Sequence, residues 1–319
     1  MIQLFNLSLL GSGGGMPMPN RFLSSLLINY KGRKILLDCG EGTQVAMRKM
    51  NTGFKSIDII CITHCHGDHI FGLPGLLSTI GNSDRTNPIT IIGPKGIQDI
   101  LRAMIVLIPY LPYDIHIVEN PKGLLGISII SDILEVKDVG DVSNEDIIMD
   151  TLELDHSTPC IGYSFYLQRS PKFYREKAIL NNVPKELWSR LQNGEIIVNE
   201  SGRYEPNMVL GEERRGIKLS YMTDTRPIDT IPNFINESDL FVCEGTYSDS
   251  EDLEKAIKNK HMTFEEAANL AYKGKVNQLL LTHFSTAMDE PELYSKNAQD
   301  VFSNTIIGYD GLIKTLGFK

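Results

Sequence analysis

The sequence predicts an α/β protein, and three observations carry that expectation. Residues 57–63 (IDIICIT) are a continuous β-branched run, the mark of a strand buried on both faces. Runs of this kind alternate with amphipathic stretches such as residues 97–107. At 319 residues the chain is long enough for one large domain that buries its own core without disulfide staples.

The elements follow in order. Residues 2–10 read as an apolar strand ending in Gly11-Ser12-Gly13-Gly14-Gly15. No Gly-Lys-Ser/Thr follows this glycine run, so a tight turn is expected there and not a nucleotide loop. Residues 24–30 and 34–38 are short strands, the second running into Asp38-Cys39-Gly40-Glu41-Gly42. A helix is expected over 44–50. After the buried strand come a short helix over 70–80, a strand over 89–92 and the helix over 97–107. Further strands are expected near 115–118, 126–136, 149–155 and 161–167.

Residues 168–215 differ. They are polar, with Arg169, Lys172, Arg175, Lys177, Lys185 and Arg190 interleaved with Phe173, Tyr174 and Trp188, and their hydrophobic periodicity is weak. This stretch is expected to be an arm inserted into a single domain spanning 1–319. The sheet pattern resumes over 217–223, 240–243 and 278–282. Thr263 and Glu266 form a capping box for a helix over 264–272.

Composition narrows the function classes. Thirty-one basic against forty acidic residues give a net charge of −9, which argues against a protein that coats DNA nonspecifically but allows a local basic patch. The five cysteines form no CxxC pair and read as reduced thiols of a cytoplasmic protein. The N-terminus has no signal-peptide pattern. The longest apolar stretch, 101–113, carries Arg102, Pro109 and Pro112, so no membrane span is expected.

The segment Thr63-His64-Cys65-His66-Gly67-Asp68-His69 concentrates three of the seven histidines directly after a buried strand. His64 and His66 project to one side of an extended backbone, and the chain turns at Gly67 before Asp68 and His69. Imidazole and carboxylate at this spacing suit zinc and similar divalent ions, and one loop could serve two adjacent positions. Further ligands are expected at strand ends, where α/β folds place their chemistry. His156, Asp224 and His283 each follow a strand and are the candidates.

The run THCHGDH, continued by Ile70-Phe71-Gly72-Leu73-Pro74-Gly75-Leu76-Leu77, resembles the metallo-β-lactamase superfamily and, within it, the ribonuclease Z family of tRNA 3′-processing endonucleases. Leu37-Asp38-Cys39-Gly40-Glu41-Gly42-Thr43-Gln44, Gly93-Pro94-Lys95-Gly96, Thr223-Asp224-Thr225-Arg226 and Leu281-Thr282-His283 match as well. The resemblance implies an αββα sandwich with two Zn²⁺ per subunit at one edge. It assigns His64, His66 and His156 to one metal, Asp68, His69 and His283 to the other, and Asp224 to both. It also implies a hydroxide between the metals as nucleophile and Asp68 as general base. His261, which precedes a capped helix, would contact the phosphate or protonate the leaving 3′ oxygen, and Glu244 would orient it. Asp38 would support the ligand loop by hydrogen bonding.

The same resemblance implies precursor tRNA as substrate and a homodimer in which the 168–215 arm serves as the tRNA-binding exosite of the second subunit. The helix over 97–107 with Ile108-Pro109-Tyr110 is either a dimer contact or a helix packed on its own sheet. Two departures stand out. Pro17-Met18-Pro19-Asn20-Arg21-Phe22 lacks the lysine and asparagine of the family's Pro-x-Lys-x-Arg-Asn loop, and Cys243 replaces the histidine of its His-Glu-Ala-Thr motif. They leave open an alternative, a small-molecule phosphodiesterase or lactonase on the same metal site. A non-catalytic RNA-binding relative is disfavoured, because all seven candidate ligands are present.

Overall fold

The computed structural model describes residues 4–108, 110–138 and 140–318. Ile2 and Gln3 of the expected first strand, and Pro109, lie outside the described residues. In the first half the chain forms β1 (Leu4–Gly11), β2 (Ser25–Tyr30), β3 (Arg33–Leu37), α1 (Thr43–Lys49), β4 (Ile57–Cys61), α2 (Gly67–Ile70), α3 (Leu73–Gly81), β5 (Ile89–Gly93), α4 (Ile97–Ile105) and β6 (Ile115–Glu119). Strands β7 (Leu125–Ile130), β8 (Ile133–Lys137), β9 (Ile147–Glu153) and β10 (Ile161–Arg169) follow. Next come α5 (Arg175–Leu180), α6 (Trp188–Gln192), β11 (Ile197–Asn199), β12 (Gly202–Tyr204) and β13 (Arg214–Met222). The chain closes with α7 (Ile231–Phe234), β14 (Leu240–Glu244), α8 (Leu253–Asn259), α9 (Phe264–Lys273), β15 (Leu279–Thr282), α10 (Ser295–Gln299), β16 (Thr305–Ile307) and β17 (Ile313–Gly317).

Two sheets stack face to face, one ordered β17-β1-β2-β3-β4-β5-β6 and the other β16-β15-β14-β13-β10-β9-β7-β8. Leu7, Leu9, Ile28, Ile35 and Ile59 of the first sheet meet Tyr163, Phe165, Leu219, Tyr221 and Val242 of the second in a central core. Alternate residues of the same strands face outward. Leu36, Ile60 and Ile91 pack with Leu73, Leu77 and Leu101 from α3 and α4, and Phe241 and Leu281 pack with Phe264, Ala268 and Ala298 from α9 and α10. Period-two alternation in strands buried on both faces therefore produces four layers, the αββα sandwich. Among the described residues no helix is long and apolar enough to cross a membrane.

The structure corrects several element boundaries. Residues 126–136 are a hairpin of β7 and β8, turned by Ser131 and Asp132 at φ 49° and 67°. The expected helix over 70–80 is two, with α2 beginning at Gly67 inside the histidine segment. The α4 helix packs on its own sheet through Ile97 and Leu101, while Val106, Leu107 and Tyr110 beyond it are exposed. The arm has a small core despite its weak periodicity: Ala178, Val183, Leu187, Leu191, Ile197, Tyr204, Val209 and Leu210 are buried together. Its two ends are held adjacent by the Arg169–Arg214 pair of β10 and β13.

Candidate metal centre

The candidate residues sit at strand ends along one edge of the sandwich. Asp38 follows β3, His64 to His69 follow β4, His156 follows β9, Asp224 follows β13, Glu244 ends β14 and His283 follows β15. Asp38, Asp224 and His283 adopt left-handed backbone at φ 55°, 45° and 58°. Non-glycine residues persist in that region where surrounding contacts over-determine them. Here the sharp turn out of each strand aims the side chain across the edge.

Two groups of donor atoms form. In the first, His66 Nδ1 lies 3.1 Å from His64 Nε2 and 3.2 Å from His156 Nε2, and Asp224 Oδ2 lies 3.5 and 3.8 Å from the latter two. In the second, His69 Nε2 and His283 Nε2 are 3.2 Å apart, and Asp68 Oδ2 is 3.3 Å from His283 Nε2. Asp224 Oδ1 is 3.3 Å from His69 Nε2 and 3.0 Å from His283 Nε2. Asp224 thus turns one oxygen to each group.

This spacing fits metal ligation. Tetrahedral donors about 2.0–2.1 Å from a zinc ion are themselves about 3.3 Å apart. Asp224 Oδ1 is buried without a hydrogen-bond partner although imidazole nitrogens lie 3.0 and 3.3 Å away, an orphaned acceptor that a cation between the rings would satisfy. The donor set, neutral imidazoles and carboxylates, suits a divalent cation. Burial holds the His64 and His156 imidazoles below the usual range, which favours the neutral ligating form. Burial acts the same way on His69, but the Asp224 and Asp38 carboxylates outweigh it and raise that imidazole.

A second layer of contacts fixes these rings. Asp38, fully buried, accepts from Thr63 N–H at 2.8 Å and the Tyr221 hydroxyl at 3.1 Å, and holds His69 Nδ1 at 2.9 Å. The Lys260 carbonyl holds His156 Nδ1 at 3.1 Å. Glu244 accepts from Thr225 N–H at 2.6 Å, Met262 N–H at 3.0 Å and the Thr246 hydroxyl at 2.6 Å, and lies 3.2 Å from His261 Nδ1. Four donors occupy this carboxylate, so the grouping of Glu244, His261 and His283 is a hydrogen-bonded network and not a third cation site. Burial lowers the His261 imidazole, but Glu244 outweighs it and raises it to about 9, leaving a cation at neutral pH beside Asp224. A cleft of about 290 Å³ opens over these groups, lined by Gly15, His66, Asp68, His156, His261 and His283.

Sequence reasoning gave no role to three contributors. Thr246 touches Glu244 and His283. Gly14 and Gly15 form a strap, not a free turn: Gly15 N–H donates to Asp68 Oδ2 at 2.7 Å, and Gly14 lies against the His283 ring where no side chain would fit. The glycine run was visible in the sequence, but its partner lies far along the chain. The structure also places Cys243 and Arg21, the arginine that the Pro17–Phe22 loop retains. Cys243 lies with Phe241 in the core beneath α9, outside the cleft. Arg21 is buried and donates to the carbonyls of Met288 and Asp289 at 2.7 and 2.8 Å, so it ties down the loop after His283.

An αββα sandwich with this donor set at one edge defines a metal-dependent hydrolase of the metallo-β-lactamase superfamily. The chain is 64% identical over 316 residues to ribonuclease Z of Alkaliphilus oremlandii, covering 99% of this chain and all of that protein. It is 62% identical over 317 residues to ribonuclease Z of Clostridium beijerinckii, with 99% of each covered. The chain belongs to the ribonuclease Z family, hydrolytic endoribonucleases of that superfamily. Human tRNase Z, short form, shares the fold at TM-score 0.64 and 24% identity, over 98% of this chain and 99% of that one. A family description, Anti-Pycsar protein Apyc1, matches residues 5–106. Full-length identity at this level does not favour the small-molecule phosphodiesterase or lactonase alternative.

Proposed function

We propose that this chain is a two-zinc endoribonuclease of the cytoplasm that removes the 3′ trailer from precursor tRNA and leaves a 3′-hydroxyl on the tRNA. The observation that supports it best is the convergence of seven donors on one cleft, in a chain aligned from end to end with ribonucleases Z. His64, His66 and His156 would hold one zinc, Asp68, His69 and His283 the second, and Asp224 would serve both. Bound there, the pair supplies Lewis acidity that acidifies water and stabilises charge on the phosphoryl oxygens. Asp68, anchored by Gly15 N–H, is the general base. His261, kept protonated and oriented by Glu244, contacts the scissile phosphate or gives its proton to the leaving 3′ oxygen.

The 168–215 arm is the tRNA exosite. Exposed Lys172, Arg175 and Lys185 on its surface offer phosphate contacts on an otherwise acidic protein. The working unit is a homodimer, and exposed Val106, Leu107 and Tyr110 are its candidate contact.

The test is cleavage of one 3′-extended precursor tRNA by zinc-loaded protein, with both new ends mapped. A tRNA ending in a 3′-hydroxyl and a trailer beginning with a 5′-phosphate are expected. Protein that leaves the precursor intact while hydrolysing small esters rapidly would overturn the assignment.

A further inference from the structure

Two buried carboxylates back the cleft, one from each sheet, and they hold histidines in the same way. Asp38 holds His69 Nδ1 directly at 2.9 Å. It also reaches His64 through Thr63, whose hydroxyl oxygen is 3.0 Å from each Asp38 oxygen and 3.1 Å from His64 Nδ1. Glu244 holds His261 Nδ1 directly at 3.2 Å. It reaches His283 through Thr246, whose hydroxyl donates to Glu244 Oε2 at 2.6 Å and lies 3.0 Å from His283 Nδ1. In each half one carboxylate therefore serves one histidine directly and a second through a threonine.

Proton counting sets the roles. A hydroxyl has one proton and two lone pairs. Each threonine gives its proton to the carboxylate, which has none to give, and so accepts from the imidazole Nδ1–H. The second lone pair of Thr63 faces the Thr223 hydroxyl at 3.2 Å. With Nδ1 carrying the proton, Nε2 of His64 and His283 presents its lone pair to the cleft. A ligating histidine whose other nitrogen donates toward a carboxylate is fixed in ring orientation and made more basic.

We propose that Thr63 and Thr246 are positioning residues that carry the charge of Asp38 to His64 and of Glu244 to His283, each setting the zinc affinity of one donor group. The inference rests on the two-metal assignment above. In this role each threonine acts through its histidine.

The test is zinc affinity, measured by competition with a chromogenic chelator, in T63V, T246V, T63S and T246S. The same substitutions are also made on H64A and H283A backgrounds. Each valine variant should weaken one of the two zincs about 10- to 100-fold, and each serine variant should restore it. On the H283A background T246V should add nothing, while on H64A it should show its full loss; T63V should behave in the converse way. T246V with wild-type zinc affinity, or with its full loss repeated on H283A, would overturn the proposal. Should a valine variant fail to fold, alanine and serine are compared at the same position, and equal affinity would overturn it. Wild-type protein holding no zinc overturns the metal assignment and the relays together, whereas normal zinc binding with indifferent valine variants overturns the relays alone.

Discussion

Substituting Gly14 by alanine disturbs the centre through one methyl group. A Cβ built on Gly14 would lie 2.3 Å from Cε1, 2.5 Å from Nε2 and 2.6 Å from Nδ1 of His283. Carbon atoms settle at about 3.5–4.0 Å, so ring and strap must separate by about 1 Å or more. Neither gives easily. The ring is bonded to Thr246 and stacked between His69 and His261, with centroids at 5.1 and 5.5 Å. The strap is fastened by Gly14 N–H to the Phe284 carbonyl at 3.0 Å and by Gly15 N–H to Asp68. A displacement of about 1 Å at a reacting centre reduces rate about 100-fold, and a misplaced ligand weakens metal binding about 10- to 100-fold. Gly14→Ala should therefore lower precursor tRNA cleavage by about two orders of magnitude and release zinc more readily. Gly15→Ala is the control. Its Cβ meets nothing within 4 Å, but its φ is +80°, so it should lose about 1 kcal/mol of stability and keep most activity. Both variants are assayed for turnover, zinc content and urea denaturation. A Gly14→Ala protein with normal zinc and normal turnover would refute the reasoning, as would Gly15→Ala that is equally inactive.

Other outcomes follow from the same geometry. His64→Ala removes a donor and should lose the zinc of its own group, keep the other, and lose nearly all turnover, measured by metal analysis and single-turnover cleavage. His261→Ala should keep its zinc and slow cleavage about 10²- to 10⁴-fold; a fall in metal content as well would contradict its role in proton or phosphate handling. Replacing residues 172–211 with a short linker removes the arm's separate core and leaves the paired Arg169 and Arg214 adjacent. That variant should fold, bind precursor tRNA poorly and hydrolyse a small chromogenic phosphodiester at the parental rate. Far from the cleft, buried Asp58 accepts from Arg33, from Arg85 at 3.0 Å and from Leu134 N–H at 2.9 Å. Asp58→Ala strands the nearly buried Arg85 charge and should cost about 3–5 kcal/mol in urea denaturation without changing zinc content.

What the chain discloses in one dimension depends on the range of the interactions involved. The buried strand β4 was legible because a strand covered on both faces must be apolar at every position, and IDIICIT nearly is. The β7–β8 hairpin was not, because Ser131-Asp132 carries none of the glycine or proline marks of a two-residue turn. The last strand, β17, went unread: its alternation is slight, and its partner is β1 at the opposite end of the chain. In the arm, Val183, Leu187 and Leu191 keep helical spacing, but Pro184 breaks the run into short pieces. At the cleft, His156, Asp224 and His283 were legible as polar residues closing apolar strands. Their division between two donor groups came from family resemblance alone, since it depends on how two sheets meet at one edge. Thr246 and Gly14 were invisible in their roles because each acts on His283, a residue distant in sequence and adjacent only in the fold.

Anomalous diffraction at the zinc edge, from crystals of the zinc-loaded protein, tests the central claim most directly. The account predicts two peaks in the cleft, one among His64, His66 and His156, the other among Asp68, His69 and His283, with a different oxygen of Asp224 turned to each. A cleft without anomalous density at saturating zinc, or zinc bound only at other residues, would contradict it.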